Sequence, residues 1–323
     1  MRRLALLAVV AAAPILLGAA APDAVTHERA EKTVFGLKPE VVVYGGFYTG
    51  AFGFAGGIHC NRRTGEIYVA DSGTNSIFIF DEEGAPLFEF SDDENLNGPA
   101  RVVLDDEDRI LVIDGERRRI KVFNYRGEFE SSLELPGFEG VKDPVFSALT
   151  LDDNGDLYVG ESTSGQVVVF DRSLKRKLRI GSYGEAPGQF LGIVGIALDA
   201  KHIYVASEDG YGVQVFTRQG RLVRYWGRHD AGLENVSLPA SIAVDDRGRV
   251  ILIDTLRQEI KYYDPEGRLM DLFGGLGREP GEVAYPSGVS IDRKGRLCVA
   301  DPGNFRFQIL TPDNTPPSKG PRR

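Results

Sequence analysis

Cysteine, histidine, methionine and tryptophan are all scarce in this chain. Its 323 residues include two cysteines, four histidines, two methionines and one tryptophan. Two cysteines exclude a disulfide-dense scaffold and a multi-cysteine zinc module, and no Cys-x-x-Cys-His marks a c-type haem. No Gly-x-Ser-x-Gly elbow and no Cys–His pair point to a covalent nucleophile. Positive charge is in deficit too. Against 47 acidic side chains stand 38 basic ones, giving a net charge of -9 and a pI near 5.1. Proteins that grip a phosphate backbone carry basic stripes, so no nucleic-acid partner is expected. Helical periodicity is missing, and past the N-terminus no apolar run is long enough to span a bilayer, so no membrane span is expected.

Apolar residues (42%) and 39 glycines are what the chain has in quantity, a globular composition. The N-terminus reads as an address. Met1-Arg2-Arg3 is positive, Leu4 to Leu17 is apolar apart from Pro14, and Gly18-Ala19-Ala20-Ala21 is small. That order predicts a signal peptide over 1–20, cut after Ala20. The mature chain is therefore expected outside the cytoplasm, periplasmic or secreted. Residues 21–38 are polar and predict a loose arm. Residues 313–323, rich in Pro, Lys and Arg, predict a disordered tail.

Between them one phrase returns six times: four short strands, each ending in a turn. The second-strand copies include Glu66-Ile67-Tyr68-Val69-Ala70-Asp71 and Arg249-Val250-Ile251-Leu252-Ile253-Asp254. Their closing residues fall at 71, 114, 161, 207, 254 and 301, a period near 46. A fixed period of this size means a solenoid or a propeller. Third strands such as Val167-Val168-Val169-Phe170 are apolar on both faces, which suits blades stacked face to face. The sixth copy lacks a fourth strand. Glu40 to Gly46 matches that missing strand and precedes the first copy. The reading is an all-β, six-bladed propeller over residues 39–312, its last blade closed by the N-terminal strand, which removes open sheet edges.

Phrases such as Ile67-Tyr68-Val69-Ala70-Asp71-Ser72-Gly73-Thr74-Asn75 and Cys298-Val299-Ala300-Asp301-Pro302-Gly303-Asn304 resemble NHL repeats. So do the connectors Tyr183 to Phe190 and Leu276 to Val283. The resemblance covers roughly 39–312 and implies the fold strongly, but little about function. The fourth copy departs from it, with Ser207-Glu208-Asp209-Gly210-Tyr211-Gly212 in place of the usual loop. Some secreted six-bladed relatives, lactonase-like and amidating-lyase-like, use calcium or zinc at the channel. Zinc would need imidazoles converging on one spot. His27 lies in the arm, His202 in a turn on the opposite face and His229 in a connector, and only His59 falls in an innermost strand. No metal or other cofactor is expected, with calcium on Asp and Asn near the mouth left open.

The repeated acids read as structural. First strands end in Asn61, Asp105, Asp152, Asp199, Asp245 and Asp292, where an acid caps its own turn. Second-strand acids (Asp71, Asp114, Glu161, Asp254, Asp301) are expected to bond loop amides or arginines such as Arg119 and Arg306. Candidates for function are residues that break the repeat on the face shared by the second-to-third-strand loops and the blade connectors. Where five copies have Gly57, Ala148, Gly195, Ser241 and Gly288, the second has Arg101. Arg117 with Arg118 and Arg119, then Phe146 and Ser147, and Tyr211, Arg257 and Phe305 complete the set. Arginines and aromatics around a concave mouth suit an anionic or sugar-like ligand or a peptide carboxylate. The plain alternative is solvated side chains and salt bridges within blades. Cys60 and Cys298 fall in the first and last blades, so a bridge there would clamp the ring. The other reading is two small buried hydrophobes.

The sequence favours a secreted, non-catalytic binding propeller that recognises a protein or cell-envelope component through its loop-rich face. The alternative is a calcium- or zinc-dependent hydrolase or lyase of the lactonase-like kind. Partner identity and oligomeric state are left open.

Overall fold

The computed structural model describes residues 36–138, 140–228 and 232–313. The signal peptide, His27, His229 and residues 314–323 lie outside the described residues, as does the expected arm up to residue 35. Strand β1 (Gly36–Val43) begins inside the stretch expected as arm.

The remaining strands follow in order. Blade 1 is β2 (Ala55–Cys60), β3 (Ile67–Asp71), β4 (Ser76–Phe80) and β5 (Pro86–Ser91). Blade 2 is β6 (Arg101–Leu104), β7 (Ile110–Ile113), β8 (Ile120–Phe123) and β9 (Phe129–Ser132). Blade 3 is β10 (Phe146–Leu151), β11 (Leu157–Glu161), β12 (Gln166–Phe170) and β13 (Arg176–Ile180). Blade 4 is β14 (Leu191–Leu198), β15 (His202–Asp209), β16 (Tyr211–Thr217) and β17 (Leu222–Arg228). Blade 5 is β18 (Pro239–Val244), β19 (Val250–Asp254), β20 (Glu259–Tyr263) and β21 (Leu269–Gly274). Blade 6 is β22 (Gly288–Ile291), β23 (Leu297–Asp301) and β24 (Arg306–Asp313), with β1 as its fourth strand. The one short helix among the described residues is a single 3₁₀ turn, Pro302–Asn304. No described helix is long and apolar enough to cross a membrane.

Each sheet is antiparallel, and in the first five the strands run from the channel outward in chain order. The sixth closes the ring, as expected: Val43 pairs with Phe307 and Val41 with Ile309. Because both faces of every middle strand are apolar, the core is six separate layers, one in each cleft between neighbouring blades. The closing layer joins Val43, Phe307 and Ile309 of blade 6 to Phe52, Phe78 and Phe80 of blade 1. Phe307 stacks edge-on to Phe80 at 5.1 Å between ring centres, and lies 6.1 Å from Phe52.

Cys60 and Cys298 both lie in this layer as free, buried thiols. The Cys60 amide donates to the Ser290 hydroxyl at 2.9 Å, and Ser290 is the cross-strand partner of Cys298. A hydrogen bond donated to Cys60, then burial, pushes the Cys298 thiol well above its usual range.

The repeated acids take the structural roles expected of them. In all six blades the carboxylate or amide oxygen that ends the innermost strand accepts the amide two residues on, as Asp105 does from Glu107 and Asp292 from Lys294. Among the second-strand acids, Asp71 accepts the amides of Gly53 and Phe54, each at 2.8 Å. Asp301 pairs with buried Arg306 at 2.7 Å.

Truncating Phe307 to alanine empties the closing layer. A buried Phe→Ala change costs about 3–5 kcal/mol. Urea unfolding of the variant should show a loss of unfolding free energy of that size, seen as a lower midpoint at unchanged slope. A loss below about 1 kcal/mol would mean the seam carries no special share of the stability.

Candidate site at the channel mouth

Six innermost strands converge on the axis, and the ladders place one rung of each at the same height. Gly57 pairs with Ala70, Arg101 with Ile113, Ala148 with Gly160, Gly195 with Ala206, Ser241 with Ile253 and Gly288 with Ala300. Crowding dictates the small residues. A Cβ on Gly57 would lie 2.5 Å from the Ala100 carbonyl oxygen, and one on Gly195 would lie 2.9 Å from Ile242. Arg101 is the exception. Its chain has only the channel to enter.

In four blades the register slips just before this rung, at Gly56, Ser147, Val194 and Ala240. Such a bulge leaves its residue outside the ladder and re-aims its groups. The Arg101 guanidinium uses two of these freed carbonyls. Its Nη2 donates to Ala240 O at 3.2 Å and Val194 O at 3.4 Å, and its Nη1 to Ala100 O at 3.0 Å. One side chain of blade 2 thus reaches blades 4 and 5. No carboxylate pairs with it among the described residues. Burial, and then neighbouring Arg117, draw its pKa down to about 10, so it stays charged at neutral pH.

Arg117 stands beside it in the loop between β7 and β8, held in the left-handed region at φ 55°. Its carbonyl accepts the Phe146 amide at 2.7 Å, which ties the loop to blade 3. Across from Arg117 is Glu208. Burial, then adjacent Asp209, raise the Glu208 carboxyl above its ordinary range while Arg117 pulls it the other way. Glu208 folds over Gly192, where a Cβ would sit 2.6 Å from its Oε2.

The other sequence candidates scatter. Phe146 is 5% exposed and packs edge-on to Phe138 at 5.3 Å in the layer between blades 2 and 3, so it offers no surface to a ligand. Ser147 is the buried bulge residue of blade 3, and its hydroxyl meets that of Ser162 at 2.8 Å. Tyr211 opens β16, two strands out from the channel, tilted at 56° against Tyr225 at 4.4 Å between ring centres, with Arg228 over its face. Arg257 braces its own blade, donating to Ser237 Oγ at 2.7 Å and Gly232 O at 2.8 Å, with Asp254 at 3.8 Å. Phe305 closes the 3₁₀ turn at φ 54° and keeps its ring exposed. Only Arg101 and Arg117 meet at the mouth. Glu208 joins them, and in the sequence only the departure of the fourth copy at Ser207 marks it.

Below the mouth the channel encloses a cavity of about 230 Å³ lined by all six innermost strands. His59 is enclosed there, and burial draws its pKa down to about 4, so it is neutral. The polar groups of the lining are this imidazole, the hydroxyls of Thr150, Ser241 and Ser290, and the guanidiniums of Arg62 and Arg101. Calcium wants several anionic oxygens and zinc three or four converging ligands. The lining offers no carboxylate, and no described group of three or more His, Cys, Asp or Glu is placed to hold a metal. A guanidinium at the mouth also repels a cation. The residues present do not fit the metal that the resemblance implies. At the other end a wider cavity of about 590 Å³ is bordered by turn-capping Asp152, Asp199 and Asp245.

No protein-family model matches the chain. Protein brain tumor of Drosophila melanogaster is 26% identical over 131 residues, 40% of this chain and 12% of that protein's length. Solved structures share the fold. A streptogramin B lyase superposes with a TM-score of 0.61 at 13% identity, over 86% of this chain and 98% of that one. A putative gluconolactonase gives 0.62 at 14%, over 86% and 92%. A gluconolactonase of Xanthomonas campestris gives 0.59 at 14%, over 81% and 86%. At these identities the likeness is one of architecture: an all-β, six-bladed propeller.

The neutral His59 gives a pH signature. Its folded pKa lies below the unfolded value of about 6.5, so the unfolded chain binds the extra proton. Stability is full above the unfolded pKa and falls as pH drops toward the folded one. Melting temperature should decline between pH 6.5 and 5, and His59→Gln should flatten that decline. An unchanged slope in the variant would mean that His59 is not the group responsible.

Proposed function

We propose that the chain is an NHL-type propeller working outside the cytoplasm, which recognises an anionic group of a protein or cell-envelope partner at its loop face. It carries out no chemistry of its own. The observation that carries this reading is Arg101. At a rung where crowding selects small residues, a charged guanidinium stands in the mouth with carbonyls as its only hydrogen-bond partners among the described residues. Arg117 adds a second cation beside it. Three carbonyls leave guanidinium donors to spare, and a carboxylate or other oxyanion is the group such donors take best.

A second reading has its own support. A streptogramin B lyase and gluconolactonases share the architecture, which favours a metal-dependent hydrolase or lyase. On the comparisons alone that reading is the better backed. The site's donor set weighs against it, because a metal would need several converging carboxylates or imidazoles, and the channel lining supplies one imidazole, His59, with hydroxyls and two guanidiniums.

Elemental analysis of the purified mature protein, with melting curves in the presence and absence of EDTA, separates the two. The binding reading expects no stoichiometric calcium or zinc and superimposable curves. One ion per chain, with a melting temperature that drops by several degrees on chelation, would transfer the case to the enzyme reading.

A further inference from the structure

The same face carries a second feature, visible only when equivalent positions are compared around the ring. Three residues before the mouth rung the blades hold, in order, Phe54, Gly98, Val145, Gly192, Leu238 and Tyr285. The large ones fall on three consecutive blades, 5, 6 and 1. Blades 2 and 4, which carry Arg101, Arg117 and Glu208, have glycine there, and blade 3 has the shorter Val145. Loops widen the apolar side. Leu256 follows Thr255, whose hydroxyl donates to Pro286 O at 2.6 Å, and Phe305 follows a turn whose Gly303 amide donates to Ala284 O at 2.9 Å. Phe54, Leu238, Leu256, Tyr285 and Phe305 are each between 41% and 64% exposed. Exposed apolar side chains gathered on neighbouring blades of one loop face mark an interaction site.

The two halves meet at Arg101. Its guanidinium is bonded to Ala240 O, two residues beyond Leu238. A Cβ on Gly57, three residues beyond Phe54, would lie 3.2 Å from its Cα. Ser287, two beyond Tyr285, donates to Gly56 O at 2.8 Å.

We infer that the channel mouth binds the C-terminus of a polypeptide, its terminal carboxylate on Arg101 and Arg117 and its last apolar side chains on the crescent of Phe54, Leu238 and Tyr285. The charge complementarity selects an anion. The breadth of the crescent selects a chain, because five side chains on three blades exceed what one small aromatic acid covers. This rests on the reading of the loop face as a binding face given above.

The test is calorimetric titration of the mature protein with Ac-Ala-Ser-Leu-Phe as free acid and as C-terminal amide, alongside N-acetylphenylalanine. The free acid should bind at least about tenfold more tightly than either. Arg101→Gln and Arg117→Gln should each weaken it by about tenfold. Leu238→Ser and Tyr285→Ser, both at exposed positions and so harmless to folding, should weaken it to a similar degree with unchanged melting temperatures. Equal binding of acid and amide, an affinity for N-acetylphenylalanine that matches the tetrapeptide, indifference to the two serine variants, or no binding of any peptide would each overturn the inference. A metal-free protein that ignores all three probes keeps the binding reading and sinks only this one. A metal-bearing protein sinks the binding reading whatever the peptides do.

Discussion

Crowding at the axis is the constraint on which the rest depends. Six strands that converge on one line leave almost no room at the mouth rung, and Gly57, Gly195 and Gly288 are there because a Cβ would press on the neighbouring blade. The register also slips just ahead of the rung in four blades. Slippage releases carbonyls from the ladder. Arg101, the one large residue admitted, enters the channel and takes up two of them from the opposite side of the ring. The charge of the mouth, the cross-channel tie and the mismatch with a metal site all follow from that single exception.

Repetition separates structure from function elsewhere. An acid in five blades and Asn61 in the first end the innermost strand, answering a need that every blade has, and each of the six caps its own turn. The ring closes by the same economy: β1 supplies the strand that the sixth copy lacks, and the closing layer is as apolar as the other five. Where the pattern breaks, chemistry has room to enter.

That logic explains what could be read from residues alone. Blade count, closure, the turn-capping acids and the rung of Arg101 all follow from the period, because equivalent positions in a repeat share one environment. Other candidates lie away from the mouth because tertiary partners that the repeat does not show hold their side chains. Phe146 sits in a connector by sequence, yet Phe138 and the core of blade 3 draw it inward. Tyr211 belongs to a loop of the right kind but is claimed by Tyr225 and Arg228, two strands out. Arg257 is spent on Ser237 and Gly232. The crescent of Phe54, Leu238 and Tyr285 is hidden in the sequence for a different reason. Exposed apolar residues look ordinary one at a time, and only their shared register shows that they cluster on three adjacent blades.

The central claim is that Arg101 is an available cation at the channel mouth and not a strut already satisfied by carbonyls. Crystals grown or soaked in bromide would test it most directly, through the anomalous signal of the ion. The account predicts a bromide peak within about 3.5 Å of the Arg101 guanidinium, a charge-assisted contact, and its disappearance in Arg101→Gln. Bromide ordered elsewhere on the surface, with none at the mouth, would contradict it.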